Sequence, residues 1–444
     1  MEKYLRGYAE PEVSALDGMP EQVPWANILV IPACNETPDF LRLPPPCNGR
    51  SLMVLVINES ELASTEVSLH NRTLAAAVEA QFEPLWYSGS GFSGFELSLF
   101  RDPCAERDIL LVDRFSAGRK LPVKGGVGHA RKIGADLAAG LIHRKRVLSP
   151  WVHCSDGDTR LPETYFSCSH ALQDSSEAYS AMVYPYHHCD ELEGAESKEV
   201  VLATQLYELS LRYYVAGMKF AASPYAFHTI GSTMAVRASH YAKVRGFPKR
   251  EAGEDFYLLN KLAKVGSVLE LAASQDCEPI EIEARRSNRV PFGTGAAVNK
   301  ITSLSDPVND FRFYHPMVFE LLRLWLQALP VIWQSRSSEL PDDMFPAGPE
   351  QQMLMKSLQN MGVQKALEHA FRQSKDPEQF MRQMHTWFDA FRTLKLIHAL
   401  RDNILPSVSY ATLESNRLFH QLSGQNRGLS TFLTQCRANI ARLG

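Results

Sequence analysis

The sequence predicts an α/β fold, in which a mixed and mainly parallel sheet is flanked by helices and followed by a helical C-terminal region. Short apolar runs rich in Val, Ile and Leu recur through the first two-thirds of the chain, with helical periodicity between them. After about residue 300 this alternation stops, and amphipathic helical patterns dominate. We therefore expect one α/β domain over 1–300 and a mainly helical region over 301–444.

Four apolar runs, each ending in polar or turn residues, are the predicted strands. They are "NILVIPA" (27–33), "LMVLVIN" (52–58), "DILLVD" (108–113) and "WVHCSD" (151–156). A helix is expected after the third run, because apolar residues from Ala130 to Leu141 fall on one helical face. Residues 59–107 interrupt the alternation, and we expect them to be an insertion.

The composition is that of a soluble globular protein, with 45% apolar and 22% charged residues in a chain of 444. A net charge of −4 provides no general attraction for nucleic acid, so we expect no nucleic-acid partner. The N-terminus lacks a signal-peptide core, and the most apolar helical pattern, "FELLRLWLQALPVIW", is too short to span a bilayer. A cytoplasmic location is therefore expected. The eight scattered cysteines contain no C-x-x-C pair, which predicts reduced thiols.

The C-terminal region carries a long apolar pattern at helical spacing, in "DPEQFMRQMHTWFDAFRTLKLIHAL". The stripe consists of Phe380, Met384, Trp387, Phe391 and Leu394. We expect it to be a packing surface rather than a groove for a cofactor or a lipid.

Each predicted strand ends in side chains that are able to bind a ligand. These are Asn35 and Glu36, then Asn58, then Asp113, and finally Asp156 and Asp158. In a parallel sheet the carboxyl ends of the strands meet at one edge, where ligands bind. The sequence therefore predicts a site at this edge.

Asp156 and Asp158 stand one residue apart in "WVHCSDGDTRLP". Two carboxylates at this spacing repel each other, and a divalent cation is the usual compensation. Mg²⁺ and Mn²⁺ prefer such hard oxygen ligands. The alternative is a solvated loop in which both side chains face water.

A second acidic pair, Glu254 and Asp255, follows Gly253 at the start of a predicted helix. Carboxylates are favoured there by the helix dipole and by free backbone N–H groups, so both residues are candidate helix caps. The alternative is that one of them points into a cleft as a general base. Upstream, Gly231 and Ser232 lead into a probable strand, where small residues allow a substrate to approach the backbone closely.

Taken in order, these motifs resemble the family 2 glycosyltransferases, which have the GT-A fold. The resemblance runs from "ILVIPACNE" through "GGVGHARKIGADLA" and "SDGDTRLP" to "GSTMAVR", "VRGF" and "AGEDF", covering roughly 27–266. It implies a nucleotide-sugar-binding catalytic domain with a hexosyltransferase-like activity. Such an enzyme transfers a sugar from a nucleoside diphosphate donor with the help of Mg²⁺ or Mn²⁺.

The resemblance also implies roles for individual residues. Asp158 matches the carboxylate that binds the metal, and Asp156 matches the one that contacts the ribose or the water shell of the metal. Asp255 matches the general base of the inverting enzymes, with Glu254 beside it. The implied donor-binding residues are Pro32, Asn35, Glu36, Asn58, Arg131, Asp156 and Gly231.

Two features depart from the pattern or lie outside it. Asn58 stands where the family usually has an aspartate at the base-binding end of the second strand, so the nucleotide is not identified. Arg285, Arg286 and Arg289 lie in "ARRSNRVPFGTGAAV", where they form either a solvated basic loop or a clamp on a diphosphate or a charged acceptor. Arg289 is counted among the predicted donor-binding residues.

Two other functions remain open on the residues alone. A sugar-1-phosphate nucleotidyltransferase also needs metal-binding carboxylates, although a Gly-rich basic signature after the first strand is replaced here by "PACNETPDF". A non-catalytic sugar-nucleotide-binding protein is the second alternative. For the leading prediction, the acceptor is an unidentified carbohydrate, lipid-linked compound or small molecule, and a lipid-linked acceptor would imply peripheral contact with a membrane.

Overall fold

The computed structural model describes residues 1–41, 49–89, 92, 94–170, 178–189, 195–287, 293–341, 344–345, 347–414 and 429–439. The chain forms two compact units. The first consists of Met1–Val201 and Thr229–Val298, and the second of Leu202–His228 and Asn299–Gly444.

The strands lie in the first unit. They are β1 (Asn27–Ala33), β2 (Ser51–Asn58), β3 (Glu83–Tyr87), β4 (Glu96–Arg101), β5 (Arg107–Arg114), β6 (Trp151–Cys154), β7 (Thr159–Arg160), β8 (Tyr179–Val183), β9 (Tyr186–His188), β10 (Met234–Arg237), β11 (Ser267–Glu270) and β12 (Ile280–Ile282). All four predicted strands are present, and β1 and β2 are buried along their whole length, as continuous apolar runs predict.

Among the described residues, nine strands form one sheet in the order β11-β8-β10-β6-β1-β2-β5-β4-β3. β6, β1, β2 and β5 are parallel, whereas β10 and β4 are each antiparallel to both of their neighbours. The prediction of a mixed, mainly parallel sheet is confirmed. Residues 59–107, predicted as an insertion, contain β3 and β4, which extend the sheet beyond β5.

The strand order reverses beside β1. The chain proceeds from β1 to β2 and β5 on one side, and then returns to place β6 on the other side of β1. The connections on the two sides of such a point diverge, which opens a crevice at the carboxyl ends of the two strands. The loops after β1 and β6 therefore lie at the place where an α/β sheet ordinarily binds its ligand.

The helices are α1 (Glu2–Gly7), α2 (Thr65–Gln81), α3 (Gly126–His143), α4 (Ser167–His170), α5 (Ala195–Phe220), α6 (Ala238–Lys243), α7 (Glu254–Leu262), α8 (Thr294–Thr302), α9 (Pro307–Asp310), α10 (Met317–Ser335), α11 (Pro349–Asn360), α12 (Val363–Gln373), α13 (Pro377–Trp387), α14 (Ala390–Asn403), α15 (Tyr410–Glu414) and α16 (Leu429–Asn439). Short 3₁₀ helices span Pro11–Gly18 and Pro38–Leu41.

Helices cover both faces of the large sheet. Leu74 and Val78 of α2 belong to the core cluster that contains Leu29 and Ile31 of β1. Helix α3 lies on the other face, and a Cβ atom at Gly134 would collide with Val30 and Val56. The helix predicted between Ala130 and Leu141 is thus α3, and it approaches the sheet so closely that no side chain fits at Gly134.

A smaller sheet holds the segments that follow β6. Its strands, in the order β7-β12-β9, pair residues that are far apart in sequence. The backbone N–H of Glu283, just after β12, donates to the carbonyl of Asp158 at 2.9 Å. The chain around residue 283 is therefore fixed beside the second aspartate of the D-G-D motif.

The prediction of reduced thiols is wrong for one pair of cysteines. Cys168 and Cys277 form a disulfide in the structure, with Cα atoms 5.2 Å apart. Their sequence separation of 109 residues conceals this proximity, because no local spacing rule relates residues on α4 to the turn before β12. Cys104, Cys154 and Cys436 are free thiols.

The second unit is mainly helical, as predicted for the C-terminal region. The single stripe from Phe380 to Leu394 is wrong, however, because two helices occupy this segment. Asp389 begins α14 by accepting a hydrogen bond from the Arg392 backbone N–H at 3.1 Å, and this N-cap restarts the helical period. The core residues of α14 are consequently Leu396, Ile397 and Leu400. Within the described residues, no helix is both long enough and apolar enough to cross a membrane.

Gly134→Ala should lower the free energy of unfolding by about 1 kcal/mol or more, because overpacking a tight core contact costs roughly 1–3 kcal/mol. Because the added Cβ atom would collide with Val30, we expect a cost in the upper part of this range, which exceeds the roughly 1 kcal/mol that alanine gains over glycine inside a helix. Urea unfolding followed by circular dichroism measures the difference.

Gly140→Ala, in the same helix, is the matched control. Its Cβ would meet side-chain atoms of Leu16, Arg144 and Val13 rather than a strand packed inside the sheet, so this variant should be at least as stable as wild type. Equal stability of the two alanine variants would contradict the close packing of α3 on the sheet.

Candidate active site

Acidic side chains gather at the reversal of strand order. Glu36 follows β1, and Asp156 and Asp158 follow β6, its parallel neighbour. Glu36 is buried, whereas the side chains of Asp156 and Asp158 keep 32% and 21% of their exposure. The two aspartates of the motif thus remain accessible to a ligand, and the loop is more enclosed than a fully solvated acidic turn.

Arg131 of α3 connects this cluster to the second acidic pair. Its guanidinium donates to Asp156 Oδ1 at 2.8 Å and to Glu254 Oε1 at 2.9 Å. It also donates to the carbonyls of Gly231, at 3.2 Å, and Ser155, at 3.4 Å. Burial alone would lower the pKa of Arg131, but the two carboxylates raise it, so the side chain stays charged. Two motifs almost a hundred residues apart are therefore joined through one buried cation.

Gly231 packs closely against the guanidinium of Arg131. A Cβ atom at Gly231 would lie 2.8 Å from Arg131 Nη2, so a larger residue would push Arg131 away from its partners. The close approach predicted at Gly231 is therefore made by Arg131 in the structure. The roles of Arg131 and Gly231 in binding a donor remain predictions.

Glu254 and Asp255 occupy the first turn of α7. Gly253 is the N-cap, with a φ of 73°, and no side chain caps this helix end. Glu254 is buried and turns to Arg131 instead of capping the helix. Asp255 is half-buried, and its Oδ1 accepts the N–H of Phe256 at 2.6 Å. The two carboxylates thus have different environments despite their adjacency.

The pKa of the Asp255 carboxyl is raised to about 7, chiefly by burial and then by the charge of Glu254. A carboxyl group that titrates near neutral pH can both lose and accept a proton there, which is the property required of a general base. Cys154, at the end of β6, is unsuited to a nucleophilic role, because burial raises the pKa of its thiol to about 12.

Arg285 holds the other side of the cluster. Its Nη1 donates to Glu36 Oε2 at 2.9 Å, and its Nη2 donates to Glu36 Oε1 at 2.8 Å and to Asp158 Oδ2 at 2.7 Å. Sequence reasoning named this arginine but did not place it in the site. The signal was the alternation of the buried residues Ile280, Ile282 and Ala284, which continues past the end of β12 and puts Arg285 on the opposite side of the chain.

The remaining predicted donor-binding residues surround the end of β1. Asn35 has a left-handed φ of 59°, and its N–H donates to Asn71 Oδ1 at 3.0 Å. The amide of Asn58 donates to the carbonyl of Ala33 at 3.0 Å, so it joins β1 to β2. Pro32 lies inside β1. Arg289 lies outside the described residues.

Asp113, at the end of β5, serves a local purpose. Its Oδ1 accepts the N–H groups of Phe115 and Ser116, and its Oδ2 pairs with Arg119 at 2.6 Å. These bonds close the turn after β5, so the polar end of the third predicted strand stabilises its own loop.

A divalent cation is chemically compatible with this cluster. In the described part of the chain, no three His, Cys, Asp or Glu side chains are arranged to hold a metal ion. One nitrogen of Arg285 nevertheless bridges an oxygen of Glu36 and an oxygen of Asp158, so the two oxygens already lie close together. Glu36 and Asp158 thus supply two hard oxygen donors of the kind that Mg²⁺ and Mn²⁺ prefer, and Asp156 comes two residues before Asp158 in the sequence.

No family model matches the chain, and no curated protein matches it. Among solved structures, one match is a mannosyltransferase from Pyrobaculum calidifontis in complex with GDP-Man and Mn²⁺. The sequence identity is 13% and the TM-score 0.31, over 91% of this chain and 95% of that chain. A likeness this weak assigns neither a family nor an activity, so the function has to be inferred from the site itself.

The raised pKa of Asp255 predicts a carboxyl signal that titrates near pH 7 in ¹³C NMR of aspartate-labelled protein, identified by its loss in Asp255→Asn. Glu254→Gln removes the neighbouring negative charge, so the pKa of Asp255 should fall. The folded protein keeps this proton between about pH 4 and 7, where the unfolded chain has lost it. Wild type should therefore lose stability relative to Asp255→Asn as the pH rises through this range.

A signal that titrates near pH 4 in wild type would contradict the environment described for Asp255. A titration unaffected by Glu254→Gln would show that the charge of Glu254 does not contribute to the raised pKa of Asp255.

Proposed function

We propose that this protein is a divalent-cation-dependent, inverting glycosyltransferase of the GT-A type, which uses a nucleoside diphosphate sugar as donor. One observation carries the proposal: Arg131 joins the D-G-D motif to the Glu254–Asp255 pair at the reversal of strand order. A cation-binding motif and a carboxyl group with a near-neutral pKa then lie in one site.

The donor side is assigned to the loops after β1 and β6. Asp158 and Asp156 would hold Mg²⁺ or Mn²⁺, with Glu36 as a further oxygen donor. The bound cation would supply Lewis-acid stabilisation for the negative charge of the departing nucleoside diphosphate. Asn35 and Asn58, at the ends of β1 and β2, are assigned to the nucleotide.

The charges of the cluster support a divalent cation. Four carboxylates, those of Glu36, Asp156, Asp158 and Glu254, pair with two guanidiniums, those of Arg131 and Arg285. The described ion pairs therefore have two more negative than positive charges. A divalent cation bound to Asp158 and Glu36 would add positive charge to this acidic cluster.

The acceptor side is assigned to Asp255. As the acceptor oxygen bonds to the anomeric carbon, the bond from that carbon to the diphosphate oxygen breaks, and Asp255 takes the hydroxyl proton. This single displacement inverts the anomeric configuration, because the nucleophile and leaving group lie on opposite faces of the sugar. Glu254 positions Arg131 and, through its charge, keeps the pKa of Asp255 near 7.

The product distinguishes this function from its alternatives. A glycosyltransferase releases nucleoside diphosphate from a nucleotide sugar, slowly even without an acceptor. A nucleotidyltransferase instead makes a nucleotide sugar and pyrophosphate from a nucleoside triphosphate and a sugar 1-phosphate, and a non-catalytic binding protein releases nothing. The acceptor is proposed to be a hydroxyl group on a carbohydrate, lipid-linked compound or small molecule, met in the cytoplasm or at its membrane surface.

Asp255→Asn should lower turnover by about 10²–10⁴-fold, the usual contribution of a general base. Donor affinity should hardly change, because the diphosphate is held at the loops after β1 and β6. Asparagine keeps the size of the side chain and can still accept the Phe256 N–H bond, so the start of α7 should survive. Turnover and the dissociation constant of the donor are measured side by side.

Glu254→Gln is the matched control, since it removes a neighbouring carboxylate from the same helical turn. Glu254→Gln should lower turnover less than Asp255→Asn does, because glutamine can still accept the Arg131 hydrogen bond. An Asp255→Asn enzyme that keeps more than about a tenth of its turnover would remove Asp255 as the base. If neither substitution reduces turnover in this way, the inverting mechanism is wrong.

A further inference from the structure

Arg285 occupies the oxygens that a cation would need. Among the described residues, its hydrogen bonds go only to Glu36 and Asp158, and they engage both oxygens of Glu36. The side chain of Glu36 is only 6% exposed, whereas those of Arg285 and Asp158 are 26% and 21% exposed. The positive charge therefore lies at the partly open side of the cluster.

A guanidinium and a divalent cation cannot share these oxygens. Each needs the same lone pairs, and arginine remains charged at every physiological pH. A cation that approached Asp158 while Arg285 was in place would meet a like charge and find the Glu36 oxygens already engaged. Binding of the cation therefore requires Arg285 to leave.

Arg285 and Arg131 differ in how firmly they are held. Arg131 is 2% exposed and is bonded to two carboxylates and two backbone carbonyls, which fix it inside the protein. Arg285 has no such carbonyl partners in the described residues, and it follows β12 at the start of a connecting segment. Of the two guanidiniums, Arg285 is the one that is able to move without dismantling the site.

We propose that Arg285 is a built-in counterion that competes with a divalent cation for Glu36 and Asp158. Its guanidinium stabilises the empty acidic cluster and weakens the binding of a cation to the free protein. The inference rests on the proposed function in one respect, because it takes Asp158 as a cation ligand. Removal of this positively charged residue should therefore improve cation binding without any donor present.

The test is the affinity of the full-length protein for Mn²⁺ alone, measured from the free Mn²⁺ signal in electron paramagnetic resonance. Arg285→Gln should bind Mn²⁺ at least tenfold more tightly than wild type, because the competing charge is gone. Arg286→Gln is the matched control, since it removes the same charge from the next residue, whose side chain is 45% exposed and lies 3.9 Å from Glu199. The Mn²⁺ affinity of Arg286→Gln should remain within about twofold of that of wild type.

Two further variants test whether the gain in Mn²⁺ affinity depends on Asp158 and on the positive charge at position 285. Arg285→Gln combined with Asp158→Asn should lose the gain, because the freed ligand is then absent. Arg285→Lys keeps the positive charge, so its Mn²⁺ affinity should be closer to that of wild type than the affinity of Arg285→Gln is. Circular dichroism checks folding, and the rise in melting temperature with Mn²⁺ should be larger for Arg285→Gln than for wild type.

Equal or weaker Mn²⁺ binding by Arg285→Gln, including no binding at all, would overturn the competition. Should Arg285→Gln fail to fold, Arg285→Met takes its place under the same criterion. The inference and the proposed function fail separately, since the titration contains neither donor nor acceptor. Tight Mn²⁺ binding through Asp158 in a protein that transfers no sugar would leave the competition standing. Sugar transfer without an Arg285→Gln effect would refute the competition alone.

Discussion

The buried guanidinium of Arg131 is the constraint on which the site depends. A cation that is 2% exposed must be compensated, and here the compensation comes from Asp156 after β6 and Glu254 at the start of α7. The same guanidinium takes the carbonyls of Gly231 and Ser155. Loss of Arg131 would leave two carboxylates without their partner and disconnect the two acidic motifs. The packing of α3 on the sheet is what brings Arg131 to this position.

The guanidinium of Arg285 contributes a positive charge that can leave the cluster. Arg285 balances Glu36 and Asp158 from the more exposed side, so the acidic residues are held by one fixed cation and one removable cation. In the proposed enzyme the free protein is therefore stable without metal, while Asp255 keeps a pKa near 7 for proton transfer.

Local patterns predicted much of the fold and part of the site. The four strands, the helix from Ala130 and the acidic residues at the strand ends follow from apolar periodicity and from the position of polar residues. Contacts between residues that lie far apart in sequence were not predicted. Nothing local showed that Cys168 meets Cys277, that the segment after β12 lies beside Asp158, or that the Asp389 cap divides the C-terminal stripe into two helices. Such pairings are set by the topology of the whole chain.

The central claim is that Asp158 and its neighbours hold a divalent cation together with a nucleoside diphosphate. Calorimetric titration tests it most directly, with a panel of nucleoside diphosphates added to wild type and to Asp158→Asn, each with and without Mn²⁺. We predict that at least one nucleotide binds wild type ten times or more tightly with Mn²⁺, and that Asp158→Asn loses this advantage. If every nucleotide that binds does so equally well with and without Mn²⁺, the claim is contradicted.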